Sequence, residues 1–404
     1  MLRFGNKPVA QSYIRREPIM KYKAHVGFDV HAATITVKVA GLGRGDEGIF
    51  DHGTIPNRPD DIRKKINHLK KKYGEIAVCY EAGPCGYTIY WQLVGMGVHC
   101  DVVAPSLIPT KAGDQVKTDR RDAHKLAKYY RSGDLTPVFV PDKAHEALRD
   151  LVRAREAAKK DLRVAQHRLG KFLLRNGLHR PKHIATNWTQ KHLDWIKTLK
   201  FEEKAQEIVY VDYLHEVEHQ RDRLKALESF LDKAIEESPA EIREVVAALQ
   251  MLRGVGKITA IGVTLEVGNF SRFTSPSKLM KYSGAIPSEH SSGPKRRQGS
   301  ITKAGNKHLR TLMTEAAWSY RYLPGLNSRM KKCEKEIDAE VIAEVKEIAW
   351  KGQRRLCERY RTLCKSGKKS QVAITAVGRE LLGFIWAIAV TVERRHVGAG
   401  KTAA

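Results

Sequence analysis

KAHVGFDVHA, residues 23–32, is the stretch on which the reading of this chain turns. Val26, Phe28 and Val30 alternate with Gly27 and Asp29, the period of two that marks a β-strand, and an acid sits at its end. Working outward, TITVKVAGL (34–42) and GIFDHGTI (48–55) predict two more short strands, with glycine-rich turn chemistry between Gly41 and Gly48. Pro59 followed by DDIRKKINHLKKKYG (60–74) has a proline start and a glycine stop, the punctuation of a helix. EIAVCYEAG (75–83) is a short apolar run suited to a buried strand. CGYTIYWQLVGMG (85–97) predicts a helix, VHCDVVA (98–104) a strand, and DRRDAHKLAKYYRSG (119–133) a helix. The order βββ-α-β-α-β-α implies an α/β domain with a mixed sheet covered on its faces.

The acids fall at informative places. Asp29 ends the first strand and Glu81 the fourth; Asp119 and Asp122 lie three apart at a helix start, so both project from one face. In such a sheet the first and fourth strands are neighbours, and four carboxylates converge from three elements. They cannot all ionise together without a counter-charge, which hard divalent cations supply. Asp29, Glu81, Asp119 and Asp122 are therefore the expected metal ligands, for magnesium and as two ions per site. Such a pair can activate an attacking oxygen and stabilise a leaving one at a phosphodiester. Singly, each acid would read as a cap or a surface group, Asp119 as an N-cap.

The chain has 404 residues, with 72 Lys and Arg against 45 Asp and Glu, a net charge of +27. So large an excess points to a polyanionic partner. It is densest in residues 246–330, where 13 basic residues face three acids. Residues 1–21 read as a loose leader, with Met20 as an alternative start, and 22–141 as the α/β domain. Residues 142–238 carry leucines and alanines spaced by threes and fours (Leu148, Leu151, Leu162, Leu169, Leu173, then Leu214, Leu224, Leu231), the pattern of a helical coiled-coil arm. A mainly helical domain follows over 239–330, an extension over 331–395, and a tail over 396–404. In it PAEIREVVAALQML (239–252) runs into Arg253-Gly254-Val255-Gly256-Lys257, which resembles a helix-hairpin-helix turn whose amides grip a phosphate. Leu381 to Val392 reads as a buried helix and no membrane partner is expected; the six cysteines show no metal-binding spacing and fit a reduced cytoplasm.

GFDVH (27–31), YEAGP (80–84) and KTDRRDA (117–123), in this order, resemble the RuvC-like, RNase H-fold domain of DEDD-type insertion-sequence transposases, insertion-sequence family 110. LRGVGKITA (252–260), the stretch from Phe273 to Arg310 and TEAAW (314–318) resemble that family's C-terminal transposase domain, and AWKGQRRLCERYRTL (349–363) and VGRELLGFIWAIA (377–389) the tail of its longer members. The resemblance implies a DNA recombinase guided by a non-coding bridge RNA, acting on double-stranded target and donor DNA. It implies a homo-oligomer, a dimer that becomes a tetramer in the synaptic complex, in a prokaryotic cytoplasm and at the nucleoid when acting. It also implies a serine nucleophile in a Ser-Gly signature, here Ser292-Gly293, with Ser291, Ser288 and Ser300 as neighbouring alternatives. Serine attack would store the bond energy as a 5′-phosphoserine ester. Lys117, Arg120 and Arg121 beside the acids, Gly254, Gly256 and Lys257 in the turn, and Lys295, Arg296, Arg297, Lys303, Lys307 and Arg310 around the serine are the expected nucleic-acid contacts. Asn306 is expected to cap a helix. The competing readings are a metal-dependent, structure-selective junction nuclease and a non-enzymatic scaffold.

Overall fold

The structure is a computed structural model that describes residues 22–42, 46–109, 118–289, 291, 297–326 and 328–402. Lys117, Ser292, Lys295 and Arg296 lie outside the described residues. The chain divides into two compact units, Met1–Val140 and Pro141–Ala404.

In the first unit, β1 (Ala24–Val30), β2 (Thr34–Ala40) and β3 (Ile49–Pro56) form an antiparallel meander. Helix α1 (Pro59–Tyr73) leads to β4 (Ile76–Glu81), and α2 (Thr88–Gly95) to β5 (His99–Val103), giving the sheet order β3-β2-β1-β4-β5 with β1/β4 and β4/β5 parallel. This is the mixed sheet that the sequence predicts. Alternation then sorts the faces. Val26, Phe28, Val78 and Tyr80 pack with Ile62, Ile66 and Leu69 of α1 and Ile89 and Leu93 of α2. Ala77 and Cys79 turn to the other face, under Leu126 and Tyr130 of α3 (Asp119–Ser132).

Gly27 lies on that second face, and α3 comes down onto it. A methyl group there would stand 2.5 Å from the backbone nitrogen of Ala127 and 2.6 Å from the carbonyl oxygen of Ala123. Both are main-chain atoms, so the helix itself would have to rise. Gly27→Ala should therefore destabilise the first unit by about 1–3 kcal/mol, read as a lower urea midpoint at unchanged slope. A midpoint equal to wild type would show that α3 has room to lift.

The second unit opens with α4 (Lys143–Arg175) and α6 (Lys204–Glu236), 33 residues each. They run antiparallel, as the pairs Arg155–Glu228 and Asp161–Arg223 require, and span about 50 Å at 1.5 Å per residue. Ala165, Leu169, Phe172 and Leu173 meet Tyr210, Leu214 and Val217 in a core that also takes Leu193 and Ile196. Those two belong to α5 (Gln190–Lys197), a helix the apolar spacing did not predict.

The remaining helices are α7 (Ala240–Leu249), α8 (Lys257–Val267), α9 (Pro276–Ser283), α10 (Lys307–Ala317), α11 (Ser328–Cys333), α12 (Ile342–Lys365) and α13 (Ser370–Thr402). Helix α13 is long and apolar enough to cross a membrane by length and composition. Here it serves as the centre of a core instead: Leu381, Leu382, Ile385, Ile388 and Ala389 are fully buried, and α7, α9, α10 and α12 pack around it. Near its end, Glu393 accepts the amides of Phe270 and Ser271, each at 2.7 Å, and burial raises its pKa.

Glu266 of α8 is the electrostatic centre of this unit. Its side chain is 2% exposed and takes Arg149 at 3.3 Å and Arg153 at 3.2 Å, both from α4. Asn306 donates to it at 2.7 Å. Burial works to raise the Glu266 pKa, but Arg149, Asn306 and Arg153 outweigh it and hold the carboxyl below its usual range. A depressed carboxyl contributes stability above its unfolded pKa and loses it as the pH falls through the folded value. Glu266→Gln strips two guanidinium groups of their counter-charge and should cost about 3 kcal/mol at neutral pH. The deficit should shrink toward acid in thermal melts; a deficit independent of pH would assign the loss to packing.

Candidate active site

Parallel register sets the first two acids. Phe28 pairs with Tyr80, the last matched positions of β1 and β4. Asp29 and Glu81 are each the next residue, so they leave adjacent strands side by side on the α3 face. Glu81 is exposed, whereas Asp29 is buried, with 9% of its surface open.

Helix α3 supplies the other two. Its N-cap is Thr118, whose hydroxyl accepts the Arg121 amide at 3.4 Å. Asp119 is therefore not the cap; it is the first helical residue, with a side chain 61% exposed and free to turn toward β1. Because α3 rests on Gly27, its first turn starts beside the end of β1.

His31 completes the group. Its Nε2 lies 3.3 Å from Asp29 Oδ2 and 3.5 Å from Asp119 Oδ1. One donor atom each from Asp29, His31 and Asp119 falls within a 4.8 Å cluster of metal-binding size. Burial raises the pKa of Asp29; His31 opposes that shift, and the negative charges of Asp119 and Asp122 reinforce it. Asp122 thus acts on Asp29 through its field, while its own carboxylate lies 3.8 Å from Lys125. Asp29 Oδ2 is sealed from solvent and has no hydrogen-bond partner among the described residues. A buried carboxylate oxygen whose near polar neighbours are the His31 imidazole and the Asp119 carboxylate belongs to a donor set that suits a hard divalent cation. Sequence reasoning missed His31; the available signal was its place two residues after Asp29 in GFDVH.

In the second unit the described residues on either side of the serine stretch form a hairpin that the sequence did not predict. Strand β6 (Pro287–Glu289) pairs antiparallel with β7 (Gln298–Ile301). At its mouth Ser291 Oγ donates to Glu289 at 3.0 Å and accepts the Arg297 amide at 3.1 Å. At its base the Thr302 amide donates to Ile286, and that of Lys303 to Gly284. Asn306 caps α10, as expected, accepting the Leu309 amide at 2.9 Å. Tyr282, just before the base, donates its hydroxyl to the Glu266 carbonyl.

The expected nucleic-acid contacts divide. Arg120, Arg121, Arg297, Lys303 and Lys307 are exposed. Arg310 instead spans the hairpin base, donating to the carbonyls of Ser283 at 2.7 Å and Gly305 at 3.1 Å. Lys257 pairs with Asp232 at 2.7 Å. Gly254 has φ of +79°, and a methyl there would meet the Ala316 carbonyl oxygen at 2.2 Å, so this glycine is set against the end of α10. Gly256 is the N-cap of α8 and has no side chain with which to close the amides beyond it.

Comparison with known proteins covers both units. The DEDD transposase profile of the IS110 group matches residues 26–176, and the profile described as "Transposase IS116/IS110/IS902 family" matches 246–330. The chain is 43% identical to "Putative transposase y4qE" of Sinorhizobium fredii over 91% of its own length and 88% of that protein's. It is 33% identical to the transposase for insertion sequence element IS1533 of Leptospira borgpetersenii, covering 87% of this chain and 99% of that one. The transposase for IS1111A of Coxiella burnetii is 25% identical over 59% of this chain and 65% of its own. With acids gathered at one end of a mixed sheet and similarity running through both units, the chain belongs to the IS110 family of DEDD transposases, enzymes that cut and rejoin DNA.

Proposed function

We propose that this transposase cuts and rejoins DNA through a 5′-phosphoserine ester, with Ser292 as nucleophile, and that a bridge RNA encoded beside its gene selects target and donor. The observation that supports the reading is the cluster of Asp29, His31 and Asp119 donor atoms, with the Asp29 oxygen sealed from solvent. Asp29, Glu81, Asp119 and Asp122 would hold two magnesium ions, with His31 beside them. Such ions would supply charge neutralisation and Lewis acidity at the scissile phosphodiester.

The chain's own residues do the rest. Ser292 Oγ attacks phosphorus, the bond to the 3′ oxygen breaks, and the serine proton passes to that leaving oxygen. A 3′-hydroxyl from another strand then attacks the same phosphorus and releases the serine, so no energy source is consumed. Ser291 is the poorer candidate because its hydroxyl already bridges Glu289 and Arg297. Arg120 and Arg121, at the first turn of α3, are suited to hold the backbone near the acids, and Arg297, Lys303 and Lys307 near the serine. Base pairing, not these charges, would read sequence.

Asp29→Asn, Glu81→Gln and Asp122→Asn should each abolish cutting while DNA binding stays within a few-fold of wild type. Cutting within tenfold of wild type for any of them would remove that residue from the site. Asp119→Asn should behave likewise.

The nucleophile and the oligomer are tested together. Wild type should leave protein on a DNA 5′ end, and Ser292→Ala should not; free ends from an active enzyme would favour the junction-nuclease reading. We infer that the working species is a tetramer in which acids and serine come from different subunits. Mixing Glu81→Gln with Ser292→Ala, each inactive alone, should then restore part of the cutting on intact guide and target. No recovery in verified mixed oligomers would assign both groups to one chain.

A further inference from the structure

We propose that residues 322–326, with Arg253 and Arg321, form a docking surface for an unpaired DNA strand. After the 3₁₀ turn at Trp318–Arg321, the described residues 322–326 carry no helix or strand, yet they are fastened from beneath. Gln353 of α12, almost fully buried, accepts the Gly325 amide at 2.6 Å and Arg253 at 3.3 Å. Arg253 also donates to the Leu323 carbonyl. Held this way, the segment turns its apolar side chains outward: Tyr322 is 54% exposed, Leu323 70% and Leu326 68%. Burying them would stabilise the fold, so leaving three of them together in water on a fixed backbone calls for a partner.

Charge selects the class of partner. The guanidinium of Arg321 stands 4.6 Å and that of Arg253 5.9 Å from the centre of the Tyr322 ring. Residues 316–333 contain no acid, and Arg361 is exposed on the neighbouring face of α12, its Nε on the Cys357 carbonyl. An apolar peptide or a second helix would gain nothing from these cations, whereas phosphates would. Duplex DNA presents phosphates but keeps its base faces stacked inside. An exposed tyrosine ring beside two guanidinium groups, its hydroxyl held by Arg321, fits a strand whose bases are open, with phosphates on the arginines and a base on the ring. An enzyme that cuts and rejoins DNA creates strand ends, and such an end can leave its duplex between the two steps. The proposal rests on that activity and not on the serine or the metal.

The test measures binding of the full-length protein to fluorescein-labelled dT20, a 20-base-pair duplex and rU20 in EDTA, so no cutting intervenes. Tyr322→Ala should weaken dT20 binding about fivefold or more, and Tyr322→Phe should stay within twofold. Duplex affinity should change less than twofold in both, and Arg321→Ala should reduce the salt slope for dT20 by about one phosphate. Tyr322 is exposed, so melting temperatures should match wild type. The proposal falls if Tyr322→Ala binds dT20 as wild type does, or loses duplex equally. It also falls if rU20 binds more tightly than dT20 through Tyr322, or if the variant instead dissociates the oligomer, which would assign the surface to a second copy. Because cutting is never measured, these results are independent of those for Ser292 and the acids.

Discussion

The close approach of α3 to Gly27 is the constraint on which the acidic site depends. With no side chain at that position, the helix axis drops until backbone meets backbone. The depth of that contact sets where the first turn of α3 begins, and hence where Asp119 and Asp122 project. Parallel pairing of β1 with β4 fixes the other two acids by register alone. Each carboxylate is thus placed by main-chain geometry, which moves less than a rotamer does. The electrostatic result is a partly desolvated Asp29 with like charges near it and one imidazole opposing them. Like charges held this close to a partly desolvated carboxylate disfavour its ionised form, which is why its pKa rises.

The second unit solves a similar problem with a charge instead of a glycine. Glu266 joins α4, α8 and the cap of α10 at one buried carboxylate. Asn306 uses its amide group twice, accepting from Leu309 to start α10 and donating to Glu266. Arg310 closes the other side by bridging Ser283 and Gly305. The β6–β7 hairpin therefore rises from a base whose two ends are bound to the same helices.

Legibility in the sequence followed how each feature is encoded. The sheet was readable because alternation and apolar runs are periodic, and the acids because they stand where those runs stop. Long helices α4 and α6 were readable for the same reason. The β6–β7 hairpin was not: PSE and QGSI have no apolar alternation, and their pairing depends on the base beneath. Helix α5 escaped because eight residues carry too few turns to show a period. His31 escaped because a single histidine has no pattern, and only the position of Asp119 makes it part of a group. Asp119 was assigned as a possible cap when Thr118 held that place, a shift of one residue that only the hydroxyl contact decides. Composition registers the charge of Arg310 but not the two carbonyls to which it is bonded.

The basic excess sharpens once each acid is placed. Residues 246–330 hold Glu266, Glu289 and Glu315, and all three are engaged. Glu266 is enclosed by two arginines, Glu289 takes the Ser291 hydroxyl, and Glu315 stands 3.7 Å from Lys159. The arginines drawn into the fold, such as Arg310, spend their donors on carbonyls, which satisfy hydrogen bonds but leave the positive charge uncancelled. With three acids against 13 basic residues the field of this region is strongly positive, and exposed Arg297, Lys303, Lys307 and Arg321 add to it. Self-repulsion of this kind weakens a free protein slightly and is relieved when a polyanion binds. The relief is paid out as released counterions, so it scales with the phosphates covered and is blind to their sequence. A surface of this composition can attract a polyanion firmly, but its charge alone cannot distinguish one nucleotide sequence from another.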